Sequence, residues 1–368
     1  MKDLHKKITA VLFFAVIILI PVISLLFMPR EQVVFSEIEN RYLARFPRLS
    51  LESYHETEFM KGFEDWANDR VIGRTGWIKL RNRTELLLGR TEIDGVFVTR
   101  ERLMQRWENP DFERVGKTLD AMNTFAERHN EVPIYFMLAP TSLEIYRVTL
   151  PPSAPVNSQR DFIKYCYDYL ENISTIDVLP LLEELREHYI YYRTDHHWTS
   201  LGAYIAYTAA GPVMGFSPLA MNRFNIEHVS NSFLGTLYSL TLNNRITPDV
   251  ISIFSLTEGD PHENLYHKEF LETKDKYSLF LGPNAPVIEI TSNLPERKLL
   301  VFKDSYAHSL IPFLAKNYSK ITVADMRLIN INYRELFDVG DYDAVLFMYN
   351  VMTFSEDTSL IKINAGGR

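Results

Sequence analysis

Apolar and polar positions divide this chain into three regimes. The first is continuous: Ile8 to Met28 carries no charge, with Lys2, Lys6 and Lys7 ahead of it and Arg30 behind. At 1.5 Å per residue, a helix of that length covers the roughly 30 Å hydrocarbon core of a bilayer. Lysines on its amino side place that end in the cytoplasm and the remaining chain outside, as an uncleaved single anchor. A cleaved signal peptide is the alternative, but the apolar stretch is long for one and no A-x-A site follows it.

The second regime is helical. Between Leu51 and Leu88, Phe59, Phe63, Trp66, Ile72, Trp77 and Leu80 recur at roughly helical spacing, with Gly73 and Gly76 expected to split the run in two. A hairpin with a turn at Asp94-Gly95 follows.

The third regime alternates. Helical periods at Phe112–His129, Asp161–Asn172, Leu181–Tyr189, Thr199 to about Val213 and Tyr306–Tyr318 are interleaved with short apolar runs. Those runs are Pro133–Ala139, Thr175–Val178, Lys298–Phe302, Lys320–Ala324 and Ala344–Tyr349. Alternation of this kind predicts an α/β domain with a mainly parallel sheet flanked by helices. Between Phe216 and Pro295 the helical period vanishes, and the stretch reads as an inserted β-rich or loop-rich excursion. The expected organisation is therefore an anchor over 1–30, a connector with a helical and hairpin segment over 31–110, and the α/β domain over 111–368, with its insertion around 216–297. Ligands of such sheets bind beyond the carboxyl ends of the strands. Ser142, Ser305, Asp325 and Asn350 fall at that edge.

Composition narrows the classes. The formal net charge of −8 with no clustered basic face argues against nucleic acid. Cys166 is the single cysteine, so neither an internal disulfide nor a CxxC site is available, and a small buried apolar role is expected for it. An extracytoplasmic chain without disulfides fits a bacterial envelope.

Chemistry concentrates in Arg193-Thr194-Asp195-His196-His197-Trp198-Thr199-Ser200. Asp195 and His197 are two apart, so in an extended segment both leave on one side, while His196 points the other way. An acid beside a base is two thirds of a device that activates a nucleophile. The missing hydroxyl is Ser305, placed where an apolar strand gives way to a helix. Blander readings stand beside these: Ser305 or Asp304 as a helix N-cap, and Asp195 as a cap for the helix after Trp198. A metal held by Asp195 and His197, with His188 or His196 joining, is a further alternative. Trp198 fits the core better than a sugar-stacking platform. His308 lies near Ser305 without thereby being its base, and His129, His228, His262 and His267 read as surface residues.

Thr194-Asp195-His196-His197-Trp198-Thr199-Ser200-Leu201-Gly202-Ala203 resembles the signature of the DHHW protein family, SGNH-hydrolase-like proteins related to alginate O-acetyltransferases. Lys303-Asp304-Ser305-Tyr306-Ala307 is similar to the GDS-type nucleophile segment of that group, and the resemblance takes in Gly235-Thr236-Leu237-Tyr238-Ser239. It implies an SGNH-like (flavodoxin-like) fold and a triad of Ser305, His197 and Asp195 that moves acyl groups onto or off hydroxyls of cell-surface polysaccharide. No cofactor or metal is implied. Members are commonly membrane-tethered and served by a multispanning membrane O-acyltransferase. Two departures stand: Lys303 occupies the place of the motif glycine, and the usual oxyanion-hole Gly and Asn are not matched. Asn350, Tyr306, Arg327 and Trp198 are the candidate oxyanion or substrate contacts, with Tyr349 as a neighbour. A catalytically inactive glycan-binding or envelope-assembly relative is the other reading.

Overall fold

A computed structural model describes the chain except residues 1, 28–33, 37, 39–40, 51–56, 152–153, 260–264, 295 and 365–368. The expected helix start at Leu51, and His262, lie outside the described residues. By contacts the chain falls into two compact units, Met1–Ile93 with Ser239–Asn244, and Asp94–Tyr238 with Arg245–Arg368.

In the first unit, α1 (Lys2–Phe27) is a single helix. The expected membrane crossing is not shown by it: among the described residues, no helix is long and apolar enough to cross a membrane. Met28 and Arg30, the far flank of the apolar run, lie outside them. The helical run beyond Leu51 is split as its glycines predict, into α2 (Glu58–Asp69) and α3 (Arg74–Leu87). Gly73 is the residue before α3 and takes φ +70°, which a side chain rarely tolerates.

The second unit opens with a hairpin of β1 (Val96–Val98) and β2 (Leu103–Gln105). Next come α4 (Phe112–Arg128), β3 (Ile134–Ala139), α5 (Gln159–Tyr169), β4 (Ser174–Thr175) and α6 (Leu179–Glu184). Helix α6 is shorter than the predicted Leu181–Tyr189, because the chain turns from Leu185 onward into the Asp195 loop. The loop leads to α7 (Ser200–Met214), then to an antiparallel pair, β5 (Phe224–Phe233) and β6 (Asp249–Leu256). Last come β7 (Val287–Thr291), β8 (Lys298–Lys303), α8 (Ala307–Leu314), β9 (Lys320–Ala324), β10 (Ala344–Asn350) and α9 (Val351–Glu356).

The central sheet runs β7-β9-β8-β10-β3-β4. Five strands are parallel, and β7 joins the edge antiparallel to β9. The predicted insertion is thus two different things, a separate β5–β6 ribbon and an edge strand of the main sheet. Every residue of β10 is buried, and so is β8 beyond Lys298, which matches the continuous apolar runs of strands covered on both faces. Register sets Lys303 opposite Met348 and Asn350 opposite Ala139, so the carboxyl ends of β8, β10 and β3 share one edge.

Helix α7 is fixed against the loop before it. Thr199 Oγ1 caps it by accepting from the Gly202 N–H, and a Cβ on Gly202 would meet the Ile190 carbonyl oxygen at 2.3 Å. Gly202→Ala should therefore lower stability by about 1–3 kcal/mol, read as a lower urea midpoint at unchanged slope.

Candidate active site

Ser305 is the middle residue of the three-residue connection, Asp304 to Tyr306, between β8 and α8. The turn is held by Asp304, whose Oδ1 accepts from Tyr306 N at 2.8 Å and whose Oδ2 accepts from Asn350 N and Nδ2 at 2.7 and 2.6 Å. Helix α8 begins at Ala307 with no side-chain cap, so Ser305 Oγ is not spent as one. Nor is Asp195 a cap, since α7 begins at Ser200 with Thr199 in that role.

The Asp195 segment is a run of bends closed by a bridge between Tyr191 and Trp198. Bending overturns the expectation that His196 and His197 point apart: their rings lie 3.9 Å centroid to centroid, tilted by 36°. Asp249, at the start of β6, holds the segment from below by accepting from Arg193 N at 2.7 Å, Thr194 N at 2.8 Å and the Tyr189 hydroxyl.

These two turns, 108 residues apart, meet through His197. Its Nε2 lies 2.8 Å from Ser305 Oγ, and its Nδ1 lies 2.6 Å from Asp195 Oδ1. The Asp195 carboxylate also accepts from His197 N at 3.0 Å, Thr236 N at 2.9 Å and Thr236 Oγ1 at 3.0 Å. A Cβ on Gly235 would lie 2.3 Å from Asp195 Oδ2, so only glycine lets the 235–236 backbone donate here. Tyr277, from the insertion, stacks on the other side: its ring lies 3.7 Å from that of His197 at 11°, and its hydroxyl donates to the Ser305 carbonyl at 3.2 Å.

Electrostatics follow from burial. Loss of water and the adjacent His196 hold the His197 pKa down to about 4 against the pull of Asp195, so the imidazole is neutral at pH 7. Burial alone would raise Asp195, but the flanking imidazoles and the Thr236 N–H hold its carboxyl well below the usual range. Asp195, His196 and His197 could geometrically share a cation, their ligand atoms lying within 4.8 Å of one another. His197 has Nδ1 on Asp195 and Nε2 on Ser305, and His196 Nδ1 lies 2.7 Å from Thr236 Oγ1, so three-fold ligation would displace a His197 contact with Asp195 or with Ser305.

The other sequence candidates fall elsewhere, and several need correction. Asn350 donates both amide hydrogens internally, to Asp304 and to Thr353 Oγ1 at 2.9 Å, so its amide positions the Ser305 turn and has no hydrogen left for an oxyanion. Trp198 is fully buried and donates to Tyr306 O and Ser309 Oγ, a core role that rules out ring stacking with a sugar. Tyr306 is buried, with its hydroxyl donating to the His196 carbonyl. Arg327 forks onto both oxygens of Asp325 at 2.8 and 2.6 Å, which leaves its Nη1 over. His308 is buried against Lys303 Nζ at 2.8 Å, and Cys166 is buried and free.

Sequence reasoning missed Tyr277, Asp249 and the grip of Thr236 on Asp195. Only Thr236 carried a signal, inside the quoted Gly235–Ser239 stretch.

Comparison with known proteins agrees with the residue pattern. Residues 118–257 match the family described as DHHW protein. No curated protein sequence is matched. Among solved structures, a DHHW family protein from Eubacterium siraeum is similar at a TM-score of 0.61 and 25% identity, over 74% of this chain and 93% of that one. Bacillus cereus PatB1 is similar at 0.60 and 19%, over 72% and 98%. PatB1 with a sulfonyl adduct gives 0.61 and 17%, over 73% and 99%. The DHHW resemblance is therefore shown, and with it a mixed α/β fold around a mostly parallel sheet, similar to that of PatB1.

His197 and His308 are held at about 4 and about 3, while unfolded imidazoles titrate near 6.5. As pH falls from about 6.5 to 4, the unfolded chain gains protons that the native chain does not, so stability is lost on acidification through that window. The thermal midpoint should fall steadily between pH 7 and pH 5, and a flat profile would contradict the buried neutral imidazoles.

Proposed function

We propose that this chain is a serine-dependent O-acyltransferase or acylesterase, tethered by α1 on the outer side of a membrane and acting on hydroxyls of a cell-surface polysaccharide. The observation that carries the chemistry is the unbroken line Asp195–His197–Ser305, with both hydrogen bonds at 2.6–2.8 Å. A neutral imidazole facing a serine hydroxyl, with a carboxylate fixing its tautomer, is arranged to make that hydroxyl a nucleophile.

In the first half-reaction, Ser305 Oγ attacks the acyl carbonyl while His197 Nε2 takes its proton. The Ser305 N–H has no acceptor among the described residues and is a backbone donor left over for the oxyanion that forms. Collapse expels the donor's alkoxide, which receives the proton from His197, and leaves Ser305 acylated. In the second half, His197 deprotonates a sugar hydroxyl or water. That oxygen attacks the acyl-serine, and Ser305 leaves with its proton restored. A sugar hydroxyl gives transfer, water gives hydrolysis.

The support for the polysaccharide substrate, for an acyl-supplying membrane partner and for the outward location is the family resemblance, together with the lysines ahead of the apolar run. A sulfonyl adduct recorded in PatB1 accords with an activatable nucleophile in the shared fold.

Ser305→Ala and His197→Ala should each lower turnover of a nitrophenyl acetate by about 10⁴-fold or more at unchanged circular dichroism. Ser305 Oγ should attack the sulfur of an aryl sulfonyl fluoride and expel fluoride, leaving a single sulfonyl adduct by mass spectrometry that is absent from Ser305→Ala. Undiminished turnover in both variants would end the assignment.

A further inference from the structure

The whole chain is acidic, at a net −8, yet the stretch Arg74–Arg90 carries five basic residues against one acidic. It forms α3 and its exit, and its apolar side is largely uncovered among the described residues. Trp77, Leu80, Leu87 and Leu88 are 47, 56, 74 and 80% exposed. At about 100° per residue these four share one face with Thr84, a stripe about one third of the helix circumference. The Thr84 hydroxyl donates back to the Leu80 carbonyl at 2.9 Å, so the stripe presents no unsatisfied polar group at its middle.

Cations border the stripe. Arg81 and Arg83 fall to either side of it by the same rotation. Glu85 is already taken by Arg81 at 3.0 Å and Arg90 at 3.3 Å, which leaves Lys79 and Arg83 without an acidic partner among the described residues.

The stripe is continuous with the end of α1. The Ile72 N–H donates to Ser24 Oγ at 3.0 Å, three residues before α1 ends. An apolar hollow of about 500 Å³ is lined jointly by Ile23, Ile72, Gly73, Gly76, Trp77 and Leu80. A surface that begins on the exit turn of an apolar helix and runs along a basic amphipathic one is suited to the boundary between headgroups and acyl chains.

We propose that α3 lies in the plane of an anionic phospholipid surface, with its Trp77–Leu88 stripe against the acyl chains and Lys79, Arg81 and Arg83 among the phosphates. This rests on the reading of α1 as an anchor and adds a second, in-plane contact that would hold the unit against the bilayer.

Tryptophan gives a direct readout, because Trp66, Trp107 and Trp198 are buried and Trp77 alone of the four is exposed. The full chain is reconstituted into phosphatidylglycerol–phosphatidylcholine vesicles carrying brominated acyl chains, and floated to score membrane association separately from quenching. The expected result is flotation together with quenching of an emission component that Trp77→Phe removes. Leu80→Asp/Leu87→Asp, at exposed positions, should still float and keep its helical circular dichroism but lose the quenching. Lys79→Glu/Arg83→Glu should weaken the quenching, by about fivefold in surface partitioning for each cation removed, and leave what remains less salt-sensitive than in the unsubstituted chain.

Flotation without Trp77 quenching would overturn the in-plane helix and leave the anchor standing. Failure to float would overturn both. Quenching that a carbonate wash abolishes along with flotation would keep α3 as a membrane contact and remove the anchor. Unquenched Trp77 with a doubled mass that Leu80→Asp/Leu87→Asp returns to monomer would assign the stripe to a second copy of the chain and overturn the lipid reading.

Discussion

The arrangement depends on one buried carboxylate. Asp195 is out of water, and an ion there is tolerable only if its lone pairs are filled. They are filled from two directions: by the His197 backbone and ring on its own loop, and by the Thr236 N–H and hydroxyl across from it. Because the acceptor is shared, the loop cannot rotate without stripping a charge of its donors. The Nε2 side of His197 is thereby aimed at Ser305 by a constraint that has nothing to do with serine. Asp249 repeats the device one residue upstream, gripping the Arg193 and Thr194 backbone. Two acids thus fix the path of a segment that has no regular secondary structure of its own.

Legibility in the sequence followed the range of the forces. Strands β3, β8, β9 and β10 announce themselves because burial on both faces demands unbroken apolar runs. The split between α2 and α3 is written in glycine. The pairing of Asp195 with His197 was readable because it is local, and Ser305 because a strand-to-helix turn has a recognisable pattern. Contacts made by competition were not readable. Asn350 sits at the predicted edge, yet its amide is drawn to the buried Asp304 carboxyl, only reached through the β8–β10 register. Extended geometry sends His196 and His197 to opposite sides, and the bends bring their rings together instead. Tyr277 was invisible because one aromatic in an aperiodic stretch carries no signal of what it will stack on.

Lys303 shows what a departure from a motif can conceal. A side chain in the place of a glycine looks like damage to a turn. Here the residue is the last of β8, and its side chain is fully buried. The ammonium donates to Asn284 at 2.9 Å, His308 at 2.8 Å and Asp325 at 3.1 Å, which uses its three hydrogens. Burial pulls its pKa down and Asp325 pulls it back up. Since Lys303 donates to His308 Nε2, the proton of that imidazole is on Nδ1, 3.0 Å from the Phe280 carbonyl. The residue after β8's apolar core therefore tethers the segment that carries Tyr277, and the cost of burying a cation is offset by a filled set of acceptors.

A pKa of about 4 is low for a general base working near neutrality, where matched basicity transfers protons best. The same burial that lowers it decides how the deficit is met. In the resting site the imidazolium would face His196, and Lys303 adds to its disfavour. In the proposed transition state the serine proton arrives on His197 as negative charge develops on the acyl oxygen a few ångströms away. In a water-excluded site that new anion, the fixed Asp195 carboxylate and the face of Tyr277 all favour the cation. Basicity is then greatest when the tetrahedral species forms and small before it. Interactions that strengthen only in the transition state are the ones that raise turnover, so a base kept weak at rest is consistent with catalysis and also keeps Ser305 protonated and unreactive without an acyl donor.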